Sequence, residues 1–319
     1  MPIPPAPTVE QFAQVAEAID PNSKVVSTHK LLGGLGCRMD VLELELEDSS
    51  TLRVVTRQYW VRDDPSKDKR PLGESKILAA LKANGVPAPE PILDEAAATE
   101  IFGRPGLVIS YINGMPNLGP ANPDDWARQL ASAMAKIHTS VIPPELESLQ
   151  RSHIVSLEKW MNAPEPPSRF AKHELGTDLW NAMRTLWPGV NKSEVQIIHG
   201  DFWPGNTLWN ADQLLAIVDW EWPSLGVPSD DVGYFLADAF YSGFDVEETF
   251  IKTYEEVSGK PVEDLLFWKM MAAAMPLPDV GPWAQGYEEL GVRHMSADQI
   301  REAHSQHITN LLRQFNANG

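Results

Sequence analysis

Apolar and polar positions alternate with two different periods along this 319-residue chain, and the pattern changes after Pro120. Residues 8–19 place Phe12, Val15, Ala16 and Ile19 on one face at helical spacing, with Thr8 set to cap the helix start. Leu42, Leu44 and Leu46 alternate with Glu43, Glu45 and Glu47, the period of a strand with one face in water. Asp48-Ser49-Ser50 reads as a hairpin turn and residues 52–59 as the returning strand. A helix follows over 73–84, stopped by Asn84-Gly85 and by Pro87, Pro89 and Pro91. Residues 107–111 form a short apolar strand closed by Asn113-Gly114. Beyond Pro120, residues 126–138 carry Leu130, Met134 and Ile137 on one helical stripe. Helices and loops then run to the end, interrupted by one β island at 195–219 and by proline-rich loops at 143–144 and 164–167. Residues 1–7 hold four prolines and read as a loose tail. The expected class is α+β with two lobes: residues 1–115 a sheet plus one helix, residues 116–319 mainly helical.

Charge and cysteine usage narrow the function classes. The 26 Lys and Arg against 44 Asp and Glu give a net charge of −18. Nucleic-acid binding needs a basic footprint, and the one short cluster, Lys67, Lys69 and Arg70, is broken by Asp68. An acidic surface serves solubility and would also favour a cationic substrate. The single cysteine, Cys37, has no partner for an internal disulfide, which fits a reducing compartment. No charged start leads into an apolar run and no stretch has the length to span a bilayer, so the expected location is the cytoplasm.

The candidate chemistry lies in Ile197-Ile198-His199-Gly200-Asp201-Phe202-Trp203-Pro204-Gly205-Asn206, with Asp219 following a second apolar stretch, Leu214 through Val218. A short strand delivers His199 and Asp201 into a loop, and Pro204-Gly205 turns Asn206 back beside Asp201. Asn210-Ala211-Asp212 separates two strand-like runs as a hairpin turn, so the second run is expected to deliver Asp219 to the same rim. Phosphoryl transfer uses such a set: a carboxylate that orients an acceptor hydroxyl and takes its proton, and an amide oxygen and second carboxylate that hold Mg²⁺. A metallohydrolase built on His199, Asp201 and Asp219 is a competing reading, although His199 beside an Asp in a tight loop is more often structural.

The pattern HGD-x4-N, then an apolar strand and Asp219, resembles the aminoglycoside phosphotransferase and choline kinase superfamily, which has a bilobal protein-kinase-like fold. The resemblance implies a β-rich N-lobe, a mainly helical C-lobe, ATP or GTP bound with Mg²⁺, Asp201 as catalytic base, and Asn206 and Asp219 as metal ligands. It places Arg57, at the end of Val54-Val55-Thr56-Arg57, where the family has its nucleotide-binding cation, with Val55 on the same strand face and Glu74 as the cation's acidic partner. Gly33, Gly34 and Gly36 fall where the phosphate-covering loop is expected, without matching G-x-G-x-x-G. Ser110 and Ile112 fall at the purine-binding hinge, and Asp231 where an acidic residue braces the catalytic loop. Gly200 replaces the Arg of protein kinases, which points to a small-molecule acceptor such as an aminoglycoside-like antibiotic, an amino alcohol or a sugar.

The resemblance leaves the acceptor, the choice between ATP and GTP, and the oligomeric state open. Trp203 and Trp222 are candidates to stack on an acceptor, and Asp279, Trp283, Gln285, Tyr287 and Glu288 lie in the region that shapes the acceptor pocket in related kinases. Glu221 is a candidate for metal or acceptor contact and equally for a helix-start role. The alternative function is a catalytically inactive nucleotide-binding kinase-like module.

Overall fold

In the computed structural model, which describes residues 4–31, 37–59, 70–146, 154–220, 224–292 and 295–318, the alternating Leu and Glu stretch becomes one strand of an antiparallel sheet. The chain divides into two units, one of Met1–Asn113 with Pro143–Leu146 and Ala216–Pro223, the other of Gly114–Ile142, Glu147–Leu215 and Ser224–Gly319.

The first unit opens with α1 (Val9–Ile19), where Thr8 and Gln11 form a reciprocal capping box that satisfies two otherwise free amides. Strands β1 (Lys24–Lys30), β2 (Cys37–Glu45), β3 (Thr51–Tyr59), β4 (Pro91–Leu93) and β5 (Gly106–Ser110) form one sheet in the order β1-β2-β3-β5-β4. Leu42 faces Val54 across β2 and β3, and the even-numbered face carries Leu42, Leu44 and Val54 into a core with Phe12, Val15, Ala98 and Phe102. Strand alternation turns Val55, Arg57 and Tyr59 to the other face. Helices α2 (Arg70–Ala83) and α3 (Glu95–Phe102) complete the unit. The sequence pattern had pointed to one helix besides the N-terminal one. It did not reveal α3, a single amphipathic stretch of eight residues capped by Asp94, nor β1, whose residues are nearly all exposed and carry no alternation.

The second unit begins with α4 (Pro123–His138), capped by Asn122 and buried along the stripe of Leu130, Met134 and Ile137. Helices α5 (Ile154–Met161), α6 (Ser168–Ala171) and α7 (Gly176–Leu186) follow. The β island resolves into β6 (Gln196–Ile198), β7 (Thr207–Asn210), β8 (Gln213–Ile217) and β9 (Ser224–Gly226), with β7 paired to β8 and β6 paired antiparallel to β9. The remaining helices are α8 (Pro228–Tyr241), α9 (Glu247–Ser258), α10 (Leu265–Ala274), α11 (Ala284–Glu289) and α12 (Ala297–Asn318). A core of Leu179, Met183, Phe267, Met270, Met271 and Ile308 joins α7, α10 and α12. Helix α8 packs closely on α10 because Gly233 leaves room: a Cβ there would stand 2.7 Å from the Trp268 carbonyl oxygen. Among the described residues no helix is long and apolar enough to cross a membrane.

Candidate active site

In the second unit, pairing of β6 with β9 fixes the chain immediately before His199. Gly200 takes φ 77°, a region that L side chains avoid, so glycine at this position has a backbone reason. A short 3-10 turn, Pro204–Asn206, folds the chain back on the loop. Asn206, 8 % exposed, donates its side-chain amide to the Asp201 carbonyl oxygen at 2.9 Å and to Asp201 Oδ2 at 3.0 Å. From α8, the Tyr234 hydroxyl donates to Asp201 Oδ1 at 2.9 Å. Each carboxylate oxygen of Asp201 thus receives a donor from a different element. Burial and the charge of Asp201 push the Tyr234 phenol well above its ordinary range, which keeps it protonated and donating.

The loop backbone is held separately. Asp231, in the first turn of α8, accepts the His199 N–H at 2.7 Å on Oδ2 and the Gly200 N–H at 2.8 Å on Oδ1. His138, at the end of α4, places Nε2 3.1 Å from Asp231 Oδ2 and Nδ1 2.8 Å from the Tyr254 hydroxyl. Burial pushes the Asp231 carboxyl up, but the His138 hydrogen bond, the nearby imidazoles and the His199 amide outweigh it and leave it below the usual value. His199 is buried, its Nδ1 accepts the Asp201 N–H at 3.3 Å, and its ring meets Phe202 edge-on. These contacts make His199 part of the loop's framework.

In the first unit, Arg57 on β3 sets Nη1 2.9 Å from Glu74 Oε1 of α2 as an ion pair and donates from Nη2 to Asp219 Oδ1, also at 2.9 Å. The Arg57 and Glu74 side chains are 4 % and 1 % exposed, whereas Asp219 is 36 % exposed. The Tyr59 hydroxyl donates to Glu74 Oε2, and burial with the Glu74 charge pushes this phenol well up. Asp219, just past β8, adopts φ 67°, a left-handed conformation uncommon for a residue with a Cβ and frequent where a fold aims a functional side chain. Val55 lies on the same strand face as Arg57, 6 % exposed and opposite Val41 and Ile109. At the end of β5 the Ser110 amide is bonded to the Glu90 carbonyl, and Ser110 Oγ accepts the Glu90 amide, both at 2.9 Å. Ile112 follows the strand and makes no backbone hydrogen bond among the described residues.

The structure therefore brings Asp201 and Asn206 together in the second unit, and Arg57, Glu74 and Asp219 together in the first. Gly33, Gly34 and Gly36, with Glu221 and Trp222, lie outside the described residues. Of the positions named from the acceptor region, Asp279 is held by Arg301 through two hydrogen bonds of 2.8 and 3.0 Å, and the Tyr287 hydroxyl is spent on the buried Asp238. Trp283 remains half-buried against Tyr234, and Trp203 folds its ring over Gly205, where any Cβ would collide with it. The sequence reading missed Tyr234 and His138. The signal for Tyr234 was available: it stands three residues after Asp231, on the same helical face.

Comparison with known proteins places this geometry. A model of the phosphotransferase enzyme family matches residues 43–266. The mouse protein acyl-CoA dehydrogenase family member 10 is 25% identical over 280 residues, covering 77% of this chain and 24% of that protein. Homoserine kinase of Rhodospirillum rubrum is 26% identical over 219 residues, covering 63% of this chain and 62% of the kinase. The matched segments thus span less than two thirds of the length of these relatives. Among solved structures, a spectinomycin phosphotransferase bound to ADP and spectinomycin superposes with a TM-score of 0.60 at 12% identity, over 96% of this chain and 98% of that one, which establishes a shared protein-kinase-like fold.

Proposed function

This chain belongs to the phosphotransferase enzyme family, and we propose that it transfers the γ-phosphoryl group of a nucleoside triphosphate to a hydroxyl of a small molecule. The observation that carries the reading is the double hold on Asp201, with Asn206 on one carboxylate oxygen and Tyr234 on the other. A general base must be aimed and accessible; Asp201 is half-buried rather than sealed. In the proposed step Asp201 orients the acceptor hydroxyl and takes its proton as that oxygen bonds to the γ-phosphorus. The bond from this phosphorus to the bridging oxygen breaks, and the nucleoside diphosphate departs.

Residues 1–115 are assigned the nucleotide and residues 116–319 the catalytic loop and the acceptor. Mg²⁺ suits the donors present, since it prefers oxygen ligands. The amide hydrogens of Asn206 face Asp201, which turns its amide oxygen toward a cation, and among the described residues Arg57 bonds Oδ1 of the part-exposed Asp219. When bound, Mg²⁺ supplies the charge that neutralises the triphosphate. Arg57, locked between Glu74 and Asp219, holds the metal-binding carboxylate in place and takes a phosphate only as a third partner. Val55 is assigned to the base. Because the Ser110 amide is already engaged, the hinge contact falls to the Ser110 carbonyl and to the Ile112 backbone. Gly33, Gly34 and Gly36 are assigned to cover the phosphates.

ATP is the favoured donor, supported by the ADP bound to the spectinomycin enzyme, with GTP as the alternative. The names of the relatives support a hydroxyl compound such as an amino alcohol, an aminoglycoside-like antibiotic or a sugar as acceptor. The test incubates the chain with Mg·ATP or Mg·GTP and a panel of homoserine, choline, spectinomycin, kanamycin and simple sugars, and follows phosphoester formation by ³¹P NMR. Asp201→Asn should stay folded and bind Mg·ATP while turnover falls by about 10²-fold or more. A folded Asp201→Asn variant with near-normal turnover removes the reading. Nucleotide binding with no transfer to any acceptor favours an inactive nucleotide-binding module.

A further inference from the structure

Helix α8 turns a polar stripe and an apolar face in opposite directions. Asp231, Tyr234 and Asp238 recur at spacings of three and four and face the catalytic loop and the Tyr287 hydroxyl. At about 100° per residue, Leu236, Ala239 and Phe240 point roughly 160° away, and they line a cavity of about 520 Å³. Its remaining wall comes from the turn between α8 and α9, from α10 and from α12, all within the second unit. The volume falls inside the range of roughly 300–1,000 Å³ typical of small-molecule sites.

Two buried polar side chains line this cavity. His307 of α12 is 3 % exposed, and its Nε2 has no hydrogen-bond partner among the described residues. Folded proteins leave few buried nitrogens in that state. Lys269 of α10 is 8 % exposed, and its Nζ donates to Glu247 at 2.6 Å. An ammonium has three N–H donors, and this is its one hydrogen bond among the described residues. The Glu247 side chain is 45 % exposed, so water screens it more than it screens the buried ammonium. Asp245, which is exposed, also lines the cavity, so both of the cavity's carboxylates are water-facing and Lys269 is its buried charge. Consistent with that, burial and then the Lys269 charge, together with His304, push His307 down to about 3, so the imidazole is neutral at ordinary pH. The Phe240 ring lies 4.8 Å from the His307 ring, and Phe244 and Leu311 add apolar wall.

We propose that this cavity is a second small-molecule site, separate from the catalytic loop, that takes an organic monocarboxylate with a flat apolar body. The carboxylate accepts from Lys269 Nζ and from His307 Nε2–H, which gives the imidazole nitrogen a partner and the ammonium a second one. The body lies against Phe240, Phe244 and Leu311.

Benzoate is the probe, titrated calorimetrically into the intact protein, with benzamide as its uncharged counterpart of the same shape. The expected result is a benzoate Kd of about 1 mM or tighter, with benzamide weaker by about tenfold or more. His307→Phe, which fills the cavity, and Lys269→Met should each abolish binding in variants that still melt cooperatively. Asp201→Asn should leave binding unchanged, which separates this site from the catalytic one. Absence of benzoate binding to the wild-type protein, equal binding of benzamide, or undiminished binding in His307→Phe would each overturn the proposal, the last two meaning that water or another surface accounts for the orphaned nitrogen. The benzoate and benzamide comparison needs no variant and stands even if a substitution fails to fold.

Discussion

Tyr234→Phe removes one oxygen and tests whether the loop is organised around Asp201. The lost contact is a 2.9 Å hydrogen bond from a phenol to a carboxylate oxygen. Hydrogen bonds to charged groups contribute about 1.5–3 kcal/mol. Asp201 is half-buried, so water can replace part of this contact, and the lower end applies. At 1.36 kcal/mol per tenfold, the expected loss in kcat is about tenfold. The Michaelis constant for the nucleotide should not move, because the Tyr234 hydroxyl bonds Asp201 and not Val55, Arg57 or Ser110, the residues assigned to the nucleotide. Phe keeps the packing against Trp283, so the melting temperature should change little. Steady-state kinetics between pH 5 and 9, with the melt measured on the same preparations, checks all three. A Tyr234→Phe enzyme within twofold of wild type at every pH would refute the reasoning, and a loss confined to thermal stability would make Tyr234 a packing residue.

Arg57→Met removes the ion pair with the buried Glu74; breaking a buried pair from one side should cost about 3–5 kcal/mol in urea melts, and a cost under about 1 kcal/mol would show the pair to be dispensable. Asp219→Asn should weaken binding of Mg·ATP measured by calorimetry while leaving the affinity for metal-free ATP nearly unchanged; equal affinities for Mg·ATP in both proteins would remove Asp219 from the metal site. Asp238 is a buried acid whose carboxyl is pushed up to about 7 by burial, against the Tyr287 hydrogen bond and with help from the Asp201 charge. A raised acid favours the folded state when protonated, so its contribution is full below about 4 and is lost as pH rises from about 4 to 7, on a scale of up to about 4 kcal/mol. Asp238→Asn should flatten that window in denaturant melts compared with wild type, and parallel curves would show that Asp238 titrates normally.

Much of this was legible in the sequence because the signals are local. The Thr8 cap, the Leu42 and Leu44 alternation and the stripe from Leu130 to Ile137 each sit within one element, and each element formed where the period put it. The pairing of Arg57 with Glu74 was expected from the family pattern and is present as an ion pair. Strand β1 escaped because an exposed edge strand needs no apolar alternation. His138 escaped for a different reason: its partner, Asp231, lies 93 residues away, so no local pattern announces the contact. The engagement of the Ser110 amide by Glu90 was equally invisible, since it depends on how β4 approaches β5.

Helix α8 shows why such contacts gather where they do. A helix buried on nearly all sides is most stable when apolar all round, yet this one buries Asp230, Asp231 and Asp238. Asp231 has an evident return, because it satisfies two loop amides that would otherwise be stranded in the interior. Asp238 is harder to account for by stability alone, since its Oδ2 has no partner among the described residues and its carboxyl resists ionisation. A fold selected for stability alone would replace it with an apolar residue. Its retention beside Tyr287, one turn beyond the tyrosine that grips Asp201, makes sense if the polar stripe is tuned as a unit. Asp231 sets the loop's path, Tyr234 aims its carboxylate, and Asp238 supplies an acid close enough to Asp201 for each charge to disfavour the other. On this argument α8 accepts a less stable interior because its polar face must meet a loop whose geometry no apolar surface could hold.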